Sequence, residues 1–178
     1  MEYFIAHQER SDLLTENLFA KLFEHNNCAN RQIIQACSAL CDAQLDAEPP
    51  SAAKASIRAT LSHLVTSQQG YLSLLTLPVE ARRKVLLQFS ELLESATNSG
   101  EALLALVTDA PSKPMPTQLR TTDGFFVVPW IVMVQIINHA TEHREQIKNM
   151  LSALGVTPPD LDGWAYGFVT NTLTPISK

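Results

Sequence analysis

The chain has 178 residues, 46% hydrophobic and 17% charged, and its 13 Lys and Arg against 18 Asp and Glu give a formal net charge of −5. A domain of this size buries roughly 70% of the surface its unfolded chain exposes, so it makes a core without a disulfide framework, and three cysteines do not offer one. The composition is too apolar for disorder, and the missing basic surplus speaks against a nucleic-acid partner.

The apolar positions fall into four long segments, separated by clustered prolines and read as helices from their spacing. The first runs from about Asp12 to Leu45, with Leu14, Leu18, Leu22, Ile33, Cys37 and Leu40 as its stripe and a polar patch at His25-Asn26-Asn27. The second starts after Ser56, whose hydroxyl suits an N-cap, carries Ile57, Leu61, Leu64, Leu72 and Leu75, and stops at Pro78. The third covers about Val79 to Val107, with Leu86, Phe89, Leu93, Ala96, Gly100, Leu103 and Val107 close to a seven-residue repeat. The link from Ala110 to Val128 is too long for a tight turn and reads as a small hairpin around Asp123-Gly124. The fourth segment opens at Pro129, well suited to a first helical turn, and ends at Leu154, before a Gly155 able to take positive φ. A short helix around Trp164 to Thr172 follows. The expected fold is all-α: one four-helix bundle over residues 1–178, with a short C-terminal helix and a small hairpin before the fourth long helix.

The longest apolar stretch, 127–137, is broken by Pro129 and Gln135 and falls short of the roughly 18–20 residues of a membrane span. The opening residues lack a basic region followed by an apolar one. A soluble, cytoplasmic protein without a membrane partner is the expectation.

Chemistry concentrates in the histidines. His139 and His143 lie four apart on the fourth segment, so both imidazoles leave one helix face a turn apart and can chelate a divalent ion. On the same reading His143, Ile147, Met150 and Leu154 face the core, while Arg144, Lys148 and Ser152 face away. His63 stands on the second segment among Ala59, Thr60, Thr66 and Ser67, small neighbours that admit a ligand or another backbone. Spacing alone leaves two readings open: a three-imidazole metal site, or histidines satisfied by hydrogen bonds in and around the core. Cys37 falls on an apolar stripe and reads as packing; Cys41 is four residues on along the same segment, and Cys28 lies further back.

Several stretches together resemble the DinB/YfiT-like metalloenzyme family. They are Ala29-Asn30-Arg31-Gln32-Ile33-Ile34, Ser56-Ile57-Arg58-Ala59-Thr60-Leu61-Ser62-His63-Leu64, Asn138-His139-Ala140-Thr141-Glu142-His143-Arg144-Glu145-Gln146-Ile147, and the close from Leu154-Gly155 to Trp164-Ala165-Tyr166. The resemblance implies a dimeric four-helix bundle that binds one divalent transition metal, Zn, Ni or Fe, through His63, His139 and His143. Where many members have His-His-Arg-Gly-Gln, this chain has Glu142-His143-Arg144-Glu145-Gln146, and Tyr71 replaces an aromatic that is often Trp. Gln146, one turn from His143, is a candidate to orient that ligand.

Three imidazoles leave a coordination position open, as catalytic sites do. The resemblance favours a metal-dependent transferase or hydrolase that uses a small-molecule thiol. The alternative is a non-catalytic stress-response protein whose metal is structural. Trp130 to Ile137 is apolar nearly all round, more than one bundle stripe buries, so either the Ala110–Val128 link and the C-terminal helix cover it or a second subunit does; the resemblance favours the second subunit, a homodimer.

Overall fold

The computed structural model describes residues 18–48, 55–109, 115–173 and 175–176; the start of the first segment and His7 lie outside them. Four long helices carry the fold: α1 (Leu18–Cys37), α3 (Ile57–Thr76), α4 (Leu92–Thr108) and α5 (Pro129–Ala153). Two short helices, α2 (Asp42–Leu45) and α6 (Gly163–Val169), and an antiparallel pair, β1 (Leu119–Arg120) with β2 (Phe126–Val127), complete the described elements. α1 and α3 each pack against both α4 and α5, so the helices form a ring in the order α1, α4, α3, α5. The successive long helices α1 and α3 are therefore diagonal, as are α4 and α5. Both diagonal links are long and carry structure of their own, α2 in the first and the β-pair in the second.

Local chemistry sets most boundaries. The Ser56 hydroxyl accepts a hydrogen bond from the Ala59 N–H at the start of α3, and Leu77, extended before Pro78, ends it. Pro129 occupies the first turn of α5. Gly155, at φ +74°, closes it, while the Val156 N–H returns to the Leu151 carbonyl. In the hairpin Gly124 takes φ +96°, and Thr121 holds the turn by hydrogen bonds with the Phe125 backbone.

Two segments depart from the sequence reading. The first is not one helix to Leu45: α1 stops at Cys37, and α2 begins anew with the Cys41 N–H donating to Gln44 Oε1, so Cys41 lies off α1. Arg58 on α3 fastens α2 by ion pairs to Asp42 and Asp46 and lies 5.2 Å over the Phe89 ring. The third segment is helical only from Leu92. Before it, single 3₁₀ turns at Val79–Ala81 and Phe89–Glu91 flank extended chain, and Leu86 is 86% exposed. The reason is Arg82, whose guanidinium donates to the carbonyls of Leu74, Leu77 and Arg120 and lays this stretch across the end of α3 and the hairpin.

The interior has two apolar clusters. One gathers Ile33, Cys37, Leu61, Leu64, Leu92, Ile147 and Leu151; the other gathers Phe23, Leu75, Leu103, Val132, Met133 and Ile136. Between their levels on α1, α3 and α4 lie buried Asn26, Asn30, Gln68 and Ser99. Arg144 joins them. Expected on the outer face, it is 4% exposed, in the middle of a stripe running Ile136, Ala140, Arg144, Ile147, Leu151. The core line of α5 thus lies one residue aside from the line through His143. Arg144 Nη1 donates to Asn26 Oδ1 at 2.7 Å and Asn30 Oδ1 at 2.6 Å, and Nη2 donates to Thr141 Oγ1 at 2.9 Å. Asn30 Nδ2 in turn donates to Gln68 Oε1, and Gln68 Nε2 donates to Ser99 Oγ and the Ala96 carbonyl.

Hydrogen bonds from a charged donor are worth about 1.5–3 kcal/mol each, and a buried acceptor stripped of its donor costs about 1–3 kcal/mol. Against this, Arg144→Leu removes the desolvation of a buried charge. We expect a net loss of about 2–4 kcal/mol, read from the urea midpoint of unfolding.

Candidate metal centre

His63 stands near the end of the second turn of α3, where Thr60, Leu61, Leu64 and Val65 face the core and His63 is left on the side turned toward α5. His139 and His143 leave α5 on the flank beside the Ala140–Arg144 core line, half-buried, while His63 is exposed. The α3–α5 seam brings all three together. His63 Nε2 lies 3.1 Å from His139 Nε2, and His143 Nε2 lies 3.2 Å from the same atom. The rings meet at steep angles, 59° for His63 with His139 and 78° for His139 with His143, so the nitrogens point at a shared space instead of stacking.

The donor set fits a divalent ion. A four-coordinate ion with metal–nitrogen bonds of about 2.0–2.1 Å holds its nitrogens roughly 3.3 Å apart, close to the spacing found. His143 Nδ1 lies 2.8 Å from Gln146 Oε1. The oxygen can only accept, so this contact puts the proton on Nδ1 and leaves the Nε2 lone pair facing the cluster. Tyr71, two turns beyond His63 on α3, presents its ring edge-on to His139 with centroids 5.7 Å apart. Among the described residues, the group able to hold a metal consists of these three histidines.

Two of the imidazoles, His139 and His63, are held toward the neutral form. Burial pushes the pKa of His139 down to about 4, and the neighbouring His143 and His63 add to the shift. His63 is lowered for the same reasons, burial first and His143 second. Neutral imidazole is the form that ligates metal.

The remaining candidates have other partners. His25 Nε2 lies 2.8 Å from the Leu161 carbonyl, and its ring is 5.3 Å from that of Tyr166, which docks the C-terminal segment on α1. Cys37 is fully buried, and burial raises its thiol to about 12, so it is packing and not a nucleophile. Cys28 is half-buried beside Gln32, and Cys41 is exposed. Glu145 points outward and pairs with Lys148. Sequence reasoning missed the buried Arg144–Asn26–Asn30 group, whose partners lie 118 and 114 residues away and leave no local pattern.

The low pKa of His139 has a consequence for the metal-free protein. An imidazole in the unfolded chain takes its proton near pH 6.5, whereas His139 in the fold takes it only near 4. Between those values protons favour the unfolded chain, so stability is full above about pH 6.5 and is lost as the pH falls toward 4. Thermal unfolding of chelator-treated protein across this window should therefore fall more steeply than that of His139→Ala. Parallel profiles would contradict the assignment.

No curated protein matches the chain closely enough to add a more specific relative. The profile of the DinB family does match, over residues 13–174, and with its helical bundle and its three-histidine seam the chain belongs to the DinB family.

Proposed function

We propose that the protein is a metal-dependent enzyme of the thiol-dependent transferase or hydrolase type, with His63, His139 and His143 as the ligands of one divalent ion. The observation that carries this reading is the convergence of three Nε2 atoms on the open α3–α5 seam. Zn, Ni and Fe all suit three imidazoles. A bound ion supplies Lewis acidity there, enough to acidify water or a thiol at neutral pH.

The chain's own residues set the conditions. Burial of His139 keeps its ring unprotonated, and Gln146 holds the tautomer and plane of His143. The Tyr71 ring shields one flank of His139, while exposed His63 leaves the other side of the cluster accessible. A structural ion would be enclosed by a fourth protein ligand. Here the described residues contribute three, and the bundle already has a buried polar layer to fix its register.

Protein supplied with metal should carry close to one divalent ion per chain by elemental mass spectrometry. His139→Ala or His143→Ala should remove most of the affinity, His25→Ala none, and Gln146→Ala should weaken it about 10–100-fold. Activity is tested by following transfer of low-molecular-weight thiols to electrophilic acceptors. Turnover by loaded wild type that His139→Ala lacks supports an enzyme; a bound ion with no turnover above the variant supports a structural metal.

A homodimer is part of the same reading. At the end of the bundle that holds Phe23, Val132 and Met133, Trp130 is 62% exposed, and Ile131 and Val134 are also exposed. Leu18 and Leu22 on neighbouring α1 are exposed at the same end. An apolar face of this kind on two adjacent helices suits an isologous two-fold contact. Light scattering at micromolar concentration should give twice the chain mass, and Trp130→Glu should halve it; a monomeric wild type would refute the dimer.

A further inference from the structure

A groove of about 460 Å³ opens on the solvent side of α3, and none of the three histidines lines it. Its floor is one side of α3, formed by Ser67, Gly70, Tyr71, Ser73 and Leu74. Its wall is the extended 82–84 stretch, and the hairpin residues Thr121 and Thr122 complete it. Arg82 is the strut of that wall: Nε donates to the Leu77 carbonyl and Nη1 to the Arg120 carbonyl, which fixes the stretch to the end of α3 and to the hairpin. A concave space of this size suits a small metabolite.

The lining is rich in donors for an anion and holds no Asp or Glu. Arg82, Arg83 and Lys84 all line it, and among the described residues none of them forms an ion pair. Arg83 spends Nη1 on the carbonyls of Glu80 and Arg82, which orients the guanidinium and leaves Nε and Nη2 for a ligand. The hydroxyls of Ser67, Ser73 and Thr122 are likewise without a partner among the described residues. On α3 this sets the two serines apart from Thr60, Thr66 and Thr76, each of which donates to the carbonyl four residues back. In a chain of net charge −5, three consecutive cations around one concave surface form a localised positive field.

Gly70 lies on this floor, in the interior of α3, where glycine weakens a helix relative to alanine. Neither conformation nor packing requires it. Its φ is not positive, as that of Gly155 is, and a Cβ at Gly70 would meet no atom within 4 Å. The missing side chain keeps the floor open. We propose that the groove binds a small phosphate monoester, its phosphate held by Arg83, Lys84 and the free hydroxyls and its organic body lying on the floor at Gly70 and Leu74. A phosphate monoester brings close to two negative charges and three terminal oxygens at neutral pH, where a carboxylate brings one charge and two oxygens. It therefore satisfies two uncommitted cations and three hydroxyls at once, with the guanidinium binding through paired hydrogen bonds and the ammonium as a point charge. The site is independent of the proposed metal centre and adds a second ligand to the chain.

The probes are phenyl phosphate, inorganic phosphate and phenol, titrated by calorimetry into the full-length protein as purified and again after chelator treatment. Phenyl phosphate should bind equally in both, and about tenfold tighter than inorganic phosphate because its ring covers the apolar floor. Phenol should give no heat of binding, and the affinity of phenyl phosphate should fall as salt is raised. Arg83→Glu/Lys84→Glu should lose about tenfold or more in affinity with an unchanged circular dichroism spectrum. Gly70→Leu should bring phenyl phosphate down to the level of inorganic phosphate, yet melt at or above the wild-type temperature, since its Cβ has room and the helix gains a better former. His139→Ala should bind phenyl phosphate as wild type does. Binding that disappears with chelation or in His139→Ala places the phosphate on a metal ion and overturns the groove assignment. Binding that survives both the double variant and Gly70→Leu overturns it as well. Capture of the protein by vesicles containing phosphatidic acid, with no binding of phenyl phosphate, assigns the cations to a lipid surface and equally overturns a small-molecule site.

Discussion

The fold depends on one buried cation. Arg144 sits in the middle of the α5 core line, without an ion pair among the described residues, and its charge is met by the side-chain oxygens of Asn26, Asn30 and Thr141. Burial lowers its pKa to about 10, which still leaves it charged at neutral pH. A guanidinium out of water is tolerable only where its donors are used, so α1 must present both asparagines at the level of Arg144. Asn30 then passes the constraint to Gln68 on α3, and Gln68 passes it to Ser99 on α4. Apolar side chains alone can pack in more than one register, but this chain of directional bonds is satisfied in one.

That constraint also determines where the histidines can be. With Arg144 held inward, residue 143 is turned about 100° around the helix, onto the flank next to α3. His139, one turn earlier, lies on the same flank, and His63 meets them from α3. The polar layer and the histidine seam are thus two faces of the same turn of α5. Asn27 adds a close contact on the α1–α4 side, with Nδ2 donating to the Gly100 carbonyl. A Cβ at Gly100 would lie 2.7 Å from Asn27 Oδ1, so a side chain there would push the Asn27 carboxamide aside and break its bond to the Gly100 carbonyl.

Elements with strong local chemistry were legible in the sequence. Ser56 starts α3, Pro129 and Gly155 bracket α5, and Asp123-Gly124 makes the hairpin, because a cap, a fixed φ or a positive φ acts within a few residues. The three histidines were legible through helical spacing and the resemblance to a family. What could not be read depends on distant partners. Arg144 is charged and was placed outward, since nothing near it in sequence tells of Asn26 and Asn30. The His25-Asn26-Asn27 patch was read as part of the first segment, and α1 does run through it, but its partners, the Leu161 carbonyl, Arg144 and the Gly100 carbonyl, are too distant in sequence to be read. The heptad-like run through Leu86 is helical only from Leu92, because Arg82 finds carbonyl acceptors on α3 and the hairpin that a helix would have denied it.

The division of labour between the two sides of α5 bears on what a metal would do. An ion that held the bundle together would be needed where helix packing is weak, yet α3 and α5 are joined along their length by Leu61, Leu64, Ala140 and Ile147 in one buried cluster. Register is fixed independently by Arg144 and its carboxamides. The histidines stand outside both features, at the margin of the core, with His63 exposed. Placing neutral imidazoles at an open edge contributes little to folding and costs some stability in acid. Under the proposed function the seam would hold an ion at an open edge, on a scaffold rigid enough to keep three nitrogens aimed at one point.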